Sequence, residues 1–287
     1  MSFEWGESFK DLWPRFAPLL LLAALALAYF GQLRYDTWRF FDTPTVQDSF
    51  NNFIEPEPLK SPTAKAASLG ATNFLSDIYW LELIQYYGGG DPYGTYRQLP
   101  ALYQTITDLS PKFLAAYQSG LLVLPQEKFT DQAIALGEKG QQNLPKSWEI
   151  PYYEGLVYHV DKKDYLSAAR QFQIAAAKPG APAITKYFAG LYYKEAGSRQ
   201  TAYVIFQTVY QTTTDPFVKD RAQKQIGHLG GLFALQDAVS AFQQKLHRNP
   251  KSFDELIAAK IIPALPVSPL GLKYTYDAVT GAVSDTK

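Results

Sequence analysis

The chain has 287 residues, of which 47% are hydrophobic and 15% aromatic, so it can bury a substantial core and cannot be wholly disordered. Lys and Arg together number 27, as do Asp and Glu, which leaves no positive excess to neutralise a nucleic-acid backbone. The sequence has no cysteine, which excludes disulfides, thiolate nucleophiles and cysteine-ligated metals. We expect no nucleic-acid partner and no cofactor.

Residues 16–34 predict a single transmembrane helix that follows a short N-terminal segment, residues 1–15. Its first 18 residues carry no formal charge. At about 1.5 Å per residue these span about 27 Å, close to the roughly 30 Å of a bilayer core. Trp13 and Trp38 flank the run, where amphipathic rings favour the water interface. We therefore expect the lipid bilayer to be one partner, through residues 16–34.

A cleaved signal peptide is the alternative interpretation of this run, because Ala26-Leu27-Ala28 resembles a cleavage site. The acidic side chains of residues 1–15 argue against it. The flanking cations are evenly divided, Lys10 and Arg15 before the span and Arg34 and Arg39 after it. The positive-inside rule therefore does not decide the orientation. We expect an extracytoplasmic C-terminal part, as is usual for signal anchors.

Two segments lie between the predicted transmembrane helix and the repeats. Residues 35–68 contain prolines that disfavour a continuous helix and predict a linker: Pro44, Pro56, Pro58 and Pro62. Residues 69–112 predict a degenerate helix pair, with apolar runs at 74–87 and 99–109. The glycine-containing stretch 88–94 between them predicts a long loop.

Residues 113–250 contain an internal repeat of about 35 residues. Four sets of positions recur in step, namely Gly120, Gly155 and Gly190; Ala133, Ala168 and Ala202; Gly137, Phe172 and Phe206; and Gly140, Ala175 and Val209. Within each unit the last three positions share one helical face. Each unit therefore predicts two antiparallel helices that stack on their neighbours. A fourth unit is predicted from Gly227, Ala238, Phe242 and Pro250.

The second unit resembles the tetratricopeptide repeat, with the family's order of small, tyrosine, alanine, phenylalanine, alanine and proline positions: Gly155, Tyr158, Ala168, Phe172, Ala175 and Pro179/Pro182. That resemblance implies an α-solenoid of helical hairpins with a concave groove lined by first-helix residues. The first unit departs from the family by having glycines where bulk is expected.

The resemblance places a partner-binding groove on named residues. Tyr117, Tyr152 and Tyr187 stand three residues before the repeat glycines, and Leu124, His159 and Lys194 stand four residues after them. We predict a groove formed by Tyr117, Tyr152, Tyr187, His159 and Lys194 that binds another protein through large amphipathic side chains. The alternative is that the tyrosines only pack between neighbouring helices.

Residues 251–287 change character and predict a short helix followed by a β-hairpin, because Tyr274 and Tyr276 alternate and Asp277–Gly281 forms a turn. This tail resembles the end of the major pseudopilins of type II secretion, with Ser268 in place of an aspartate. The whole order of anchor, repeats and tail is similar to that of bacterial membrane-anchored tetratricopeptide-repeat proteins. The likeness implies an architecture and no activity.

No sequence pattern indicates catalysis. The chain lacks a phosphate-binding loop and a nucleophile elbow, and His159, His228 and His247 form no metal motif and are interpreted as isolated surface or groove residues. The expected fold is mainly α, and no enzyme is expected. The leading function is a membrane-anchored scaffold or accessory subunit of a larger membrane or envelope complex. The alternatives are a substrate-recruiting chaperone or assembly factor for a pilus, secretion or other membrane complex and, remotely, a periplasmic hydrolase.

Overall fold

The computed structural model describes residue 23 and residues 26–31, 55–89 and 94–286, and the chain divides into two units, Met1–Ile54 and Glu55–Lys287. In the first unit, residues 26–31 are helical. The remainder of the predicted span, residues 16–34, lies outside the described residues, apart from residue 23. Within the described ranges, no helix combines the length and apolar character needed to cross a membrane.

The described residues of the second unit are mainly helical and end in a C-terminal hairpin, which confirms the predicted mainly α fold with a small β element. Its helices are α1 (Ser61–Ala67), α2 (Thr72–Gly89), α3 (Leu99–Leu109), α4 (Leu114–Gln126), α5 (Thr130–Asn143), α6 (Glu149–Val157), α7 (Tyr165–Ala176), α8 (Ala183–Glu195), α9 (Arg199–Thr212), α10 (Pro216–Leu246) and α11 (Phe253–Ala258). A π-helical turn, Tyr158–Lys162, continues α6. Strands β1 (Tyr274–Tyr276) and β2 (Val283–Asp285) pair antiparallel.

Consecutive helices pack as a series of pairs. Helix α4 packs on α5, α6 on α7 and α8 on α9, and each pair also contacts the next one. Short turns join the members of each pair, so the two helices run in opposite directions. This serial arrangement is compatible with the predicted solenoid of helical hairpins.

The repeat register corresponds to buried positions in each pair. Ala133, Ala168 and Ala202 are fully buried, as are the phenylalanines Phe172 and Phe206. A β-carbon on Gly155 would lie 2.9 Å from the Phe172 ring, and one on Gly190 would lie 2.8 Å from the Phe206 ring. The glycines therefore let each phenylalanine pack directly against the backbone of its partner helix.

The turn inside each pair contains a left-handed residue at the same place. Lys128, Lys163 and Gly197 have φ angles of 69°, 54° and 80°, and they stand at steps of 35 (128 to 163) and 34 (163 to 197). A further step of 34 reaches Gly231, but that residue has no positive φ and lies inside α10. The predicted fourth helical hairpin is therefore wrong, because α10 runs unbroken from Pro216 to Leu246.

The C-terminal tail packs along this unbroken helix. Phe253, Tyr274 and Tyr276 pack on the same core as α10, together with the buried residues Leu256 and Val283. A β-carbon on Gly227 would lie 2.8 Å from the ring of Pro269. The lack of a side chain at Gly227 thus leaves room for the tail. The tail covers α10 in the region where the repeat pattern predicts a turn.

The predicted linker, residues 35–68, also needs correction, because its last part belongs to the folded unit. Leu59 donates its backbone N–H to the Tyr79 hydroxyl at 3.2 Å, and its carbonyl accepts from Thr105 Oγ1 at 3.1 Å. Helix α1 follows, with Pro62 in its first turn, where a missing N–H costs nothing. One of the four prolines that indicated a linker, Pro62, therefore lies in the first turn of a docked helix instead.

Candidate partner-binding surface

The structure divides the five predicted groove residues among different environments. Tyr117 has no exposed surface. Its ring packs against Gly140, and its hydroxyl donates to the Pro111 carbonyl at 3.2 Å and accepts from Asn143 Nδ2 at 2.9 Å. A side chain that is fully enclosed and hydrogen-bonded presents nothing to a partner. Tyr117 is therefore a packing residue, which corrects its predicted place in an open groove.

Tyr187 is also a packing residue. Only 5% of its surface is exposed, and its ring centroid lies 5.4 Å from that of Phe206. The Tyr187 hydroxyl accepts a hydrogen bond from Gln225 Nε2 at 3.4 Å, which links α8 to α10. The periodic spacing of the tyrosines was real, but at positions 117 and 187 it reflects packing against the second helix of the same pair.

Tyr152 is only half-buried, and it stands at the centre of several aromatic contacts. Its ring meets Phe172 edge-on at 5.3 Å and lies 6.3 Å from Phe188. Trp148 and Tyr153 are edge-on neighbours at 5.7 and 5.6 Å. Burial raises the pKa of the Tyr152 phenol, so the hydroxyl is neutral and can act as a hydrogen-bond donor.

His159 lies on the π-helical turn beside the same aromatic residues. Its ring centroid is 4.6 Å from Tyr192 and 5.8 Å from Tyr165. Its Nδ1 atom is buried and has no hydrogen-bond partner among the described residues. Turns of this kind are frequent at functional sites, and here the His159 ring packs against Tyr192 of α8.

We call the half-buried members of this region the aromatic surface: Tyr152, Tyr158, His159, Tyr165, Phe188 and Tyr193. They surround a buried centre of Phe172 and Tyr192, whose rings stack at 5.2 Å. The surface is formed by α6, the π-helical turn, α7 and α8. Rigid rings that are partly exposed over a packed base are what protein interfaces use most.

Lys194 lies elsewhere, in a cleft of about 650 Å³ between the α8–α9 turn, α10 and the tail. Its ammonium is 3.5 Å from Glu195. Across the cleft, Arg199 contacts Asp285 at 3.4 Å and donates to the Val283 carbonyl at 3.2 Å. The structure thus brings Tyr152 and His159 together but does not bring Lys194 into the aromatic surface.

His228 was interpreted from the sequence as an isolated surface or groove residue, and the structure shows that this is wrong. The side chain is fully buried in α10. Its Nδ1 is 2.8 Å from Ser268 Oγ, and its Nε2 is 2.8 Å from Asp285 Oδ2. The ring stacks on Tyr274 at 5.4 Å, and the Tyr274 hydroxyl donates to the His228 carbonyl at 3.0 Å. One histidine therefore connects three parts of the tail to α10.

The hydrogen-bond roles of this network follow from its members. A carboxylate only accepts, so Nε2 donates to Asp285, and in the neutral imidazole Nδ1 then accepts from the Ser268 hydroxyl. Ser268 Oγ in turn accepts from the Leu270 N–H at 3.2 Å. Ser268 is nearly buried, with 7% exposed, and both its donor and its acceptor roles are occupied. This arrangement is suited to fixing the tail in place.

A buried carboxyl group, for which no sequence pattern predicted a role, joins the first and second helix pairs. Glu154, in α6, accepts from Gln141 Nε2 at 2.8 Å and from Gln171 Nε2 at 2.9 Å. A β-carbon on residue 137 would lie 2.6 Å from Glu154 Oε2. Gly137 therefore replaces the phenylalanine of the other units because the Glu154 carboxyl occupies that space.

Burial raises the pKa of Glu154 to about 7, more than the hydrogen bond from Gln141 lowers it, and nearby Glu138 raises it further. Within the described part of the chain, no group of His, Asp and Glu side chains is arranged to hold a metal ion. Glu154 is thus a titratable structural group between helix pairs.

No protein-family model, curated protein sequence or solved structure matches this chain. The tetratricopeptide and pseudopilin resemblances therefore stay predictions, and the residues themselves carry the functional argument.

Proposed function

We propose that this protein is a membrane-anchored scaffold of tetratricopeptide type that binds another protein through the aromatic surface, as a subunit of a larger membrane or envelope complex. The observation that supports it most is the exposure of Tyr152, Phe188 and Tyr193 over a packed centre. Half-buried rings of this kind supply contact area at a low cost in conformational entropy.

The serial helix pairs support the same proposal. A row of stacked helix pairs presents a long, preformed surface, and binding to such a surface requires little ordering of the scaffold. Attachment of residues 16–34 to a bilayer would keep that surface beside other membrane components. In this proposal the helical domain lies on the extracytoplasmic side.

Mild extraction of the full-length protein, followed by mass spectrometry of the copurifying proteins, tests the proposal. Tyr152→Ala and Tyr165→Ala should lose the partner while helicity and melting temperature stay close to those of the wild type. Tyr210→Ala is the matched control, because Tyr210 is also half-buried but lies on α9 outside the aromatic surface. Retention of the partner by all three variants would refute the proposed surface.

The same experiment separates the scaffold from its nearest alternative. A constant, stoichiometric partner indicates a subunit of a fixed complex. A varying set of partners that depends on which proteins are being exported indicates a substrate-recruiting chaperone or assembly factor. Both would use the aromatic surface, so the variants apply equally to each.

A further inference from the structure

Helix α2 has an exposed apolar face. Phe74, Ile78, Leu81 and Ile84 expose 68%, 45%, 55% and 48% of their surface. The opposite face of the helix is buried in the domain through Tyr79, Leu83 and Tyr86. The helix is therefore apolar on both sides, a composition that is usual for a helix covered all round.

The position of α2 makes this exposure unexpected. It packs on α3, at the start of the series of helix pairs. The outermost helix of a repeat array needs a polar outer face to remain soluble. A stripe of four large apolar side chains at helical spacing indicates that something covers this face.

The pattern of the face is complementary to itself about Leu81. In an antiparallel pair with a two-fold axis at Leu81, residues equally distant from it in sequence face each other. Ile78 then meets Ile84 of the second copy, and Asp77 meets Gln85. Phe74 meets Gly88, where no atom lies within 4 Å of the position of a β-carbon. The Phe74 ring of one copy thus faces the open space beside Gly88 of the other copy.

The polar residues of the face favour a second protein helix over lipid. Asp77 and Gln85 are exposed within the apolar stripe. Against hydrocarbon, the Asp77 carboxylate would lose its hydration without a replacement, which is costly. Against a second copy, the Gln85 amide donates to that carboxylate, and the two-fold axis forms the pair twice.

We propose that two copies of this chain associate through the exposed face of α2, antiparallel and with Leu81 on the two-fold axis. The interface consists of paired apolar side chains with two Asp77–Gln85 hydrogen bonds. It lies on a different helix from the aromatic surface, so it does not depend on the proposed function.

The absence of cysteine in the sequence permits a direct test by cross-linking. Leu81→Cys is introduced into the full-length chain, mild oxidant is added to intact cells, and the denatured protein is separated without reductant. Two residues on the two-fold axis lie within the roughly 4–7 Å between α-carbons that a disulfide spans. We expect a disulfide-linked band at about twice the 32.2 kDa of one chain.

Phe74→Cys is the matched control on the same face. In the antiparallel pair the two residues 74 lie about 21 Å apart along the helix axis, at about 1.5 Å per residue, and cannot form a disulfide. Adding Gly88→Cys to Phe74→Cys should restore the linked dimer. A parallel pair or random collision would instead link Phe74→Cys as readily as Leu81→Cys, and that result would overturn the proposal.

Absence of any linked dimer from Leu81→Cys would also overturn it, and would leave lipid or a different protein as the cover of α2. Leu81→Asp gives a second measurement, since it places two carboxylates on the axis. It should convert a dimer of the wild type into a monomer in light scattering, with unchanged helicity. A wild type that is monomeric in light scattering, together with no linked dimer from Leu81→Cys, refutes the two-fold interface.

Discussion

The side chain of Tyr274 occupies the space in which residue 231 would carry a β-carbon. That carbon would lie 2.8 Å from Cζ of Tyr274 and closer still to the hydroxyl oxygen. The ring cannot move away freely, because it stacks on His228 and its hydroxyl donates to the His228 carbonyl at 3.0 Å. Gly231 therefore allows the tail to dock on α10.

This contact predicts opposite effects for two adjacent glycines of α10. Gly231→Ala should displace Tyr274 and lower the free energy of unfolding by about 1–3 kcal/mol, as overpacking does. A β-carbon on Gly230 would have only one neighbour, an atom of Tyr203 at 4.0 Å. Gly230→Ala should therefore raise the free energy of unfolding by about 0.5–1 kcal/mol through helix propensity. Chemical denaturation measures both changes, and equal effects from the two variants would contradict this account.

The hydrogen bonds of His228 predict that it holds the tail. His228→Leu removes the hydrogen bonds of the imidazole to Ser268 and Asp285 and should lower the free energy of unfolding by about 2–3 kcal/mol, although Asp285 keeps its contact with Arg199. Hydrogen exchange of the amides of residues 274–286 should become faster than that of α6 or α7. His247→Asn is the control, because His247 is exposed and its left-handed conformation suits asparagine. Unchanged protection of the hairpin in His228→Leu would show that its other contacts, among them the hydrogen bonds to Arg199 and Gln236, hold it without the imidazole.

Glu154 predicts a pH-dependent stability. Its pKa is raised from 4.5 to about 7 in the folded protein, so the folded state holds a proton that the unfolded state has released. The stabilisation is complete below about pH 4.5 and is lost as the pH rises to about 7. A pKa shift of this size changes the free energy of unfolding by about 3 kcal/mol. Glu154→Gln should resemble the wild type at low pH and be more stable above neutrality.

Urea unfolding at several pH values measures this effect as the difference in free energy between Glu154→Gln and the wild type. Glu138→Gln serves as the comparison, since Glu138 is exposed and raises the pKa of Glu154 by less than burial does. Parallel stability curves for the wild type and Glu154→Gln between pH 4.5 and pH 7 would show that Glu154 does not titrate in that range.

Truncation of the buried Tyr187 and of the half-exposed Tyr152 should lower the free energy of unfolding by different amounts. Tyr187→Ala opens a cavity beside Phe206 and should cost about 3–5 kcal/mol, as other buried aromatic truncations do. Tyr152→Ala removes a half-exposed ring and should lower the free energy of unfolding clearly less than Tyr187→Ala does. Thermal unfolding followed by circular dichroism compares them. Equal losses would mean that Tyr152 also serves mainly as a packing residue.

Much of the helical register could be predicted from the sequence, because small and aromatic residues recur where helices meet. Ala168, Ala202, Phe172 and Phe206 all occupy the buried positions that their spacing indicated. The same spacing could not show which side chains on the first helix of each pair are exposed to solvent. Tyr117, Tyr152 and Tyr187 share a register position, yet only Tyr152 is half-exposed.

The errors have a common physical origin in contacts between distant parts of the chain. Gly231 stands where a fourth turn was due, yet α10 continues through it and the Tyr274 side chain of the distant tail packs against it. Glu154 and Gly137 likewise fit each other although they belong to different units. A single sequence reports local periodicity well, but it does not report which remote side chain fills a gap.

The docking of the tail on α10 also limits the length of the array. Stacked helix pairs have open ends, and an uncovered apolar end can accept another unit or another molecule, which leads to head-to-tail polymers. Here Tyr274, Tyr276 and Val283 occupy the apolar side of the last long helix. A chain truncated before residue 263 would keep its helix pairs but expose that end, and we expect it to form concentration-dependent filaments.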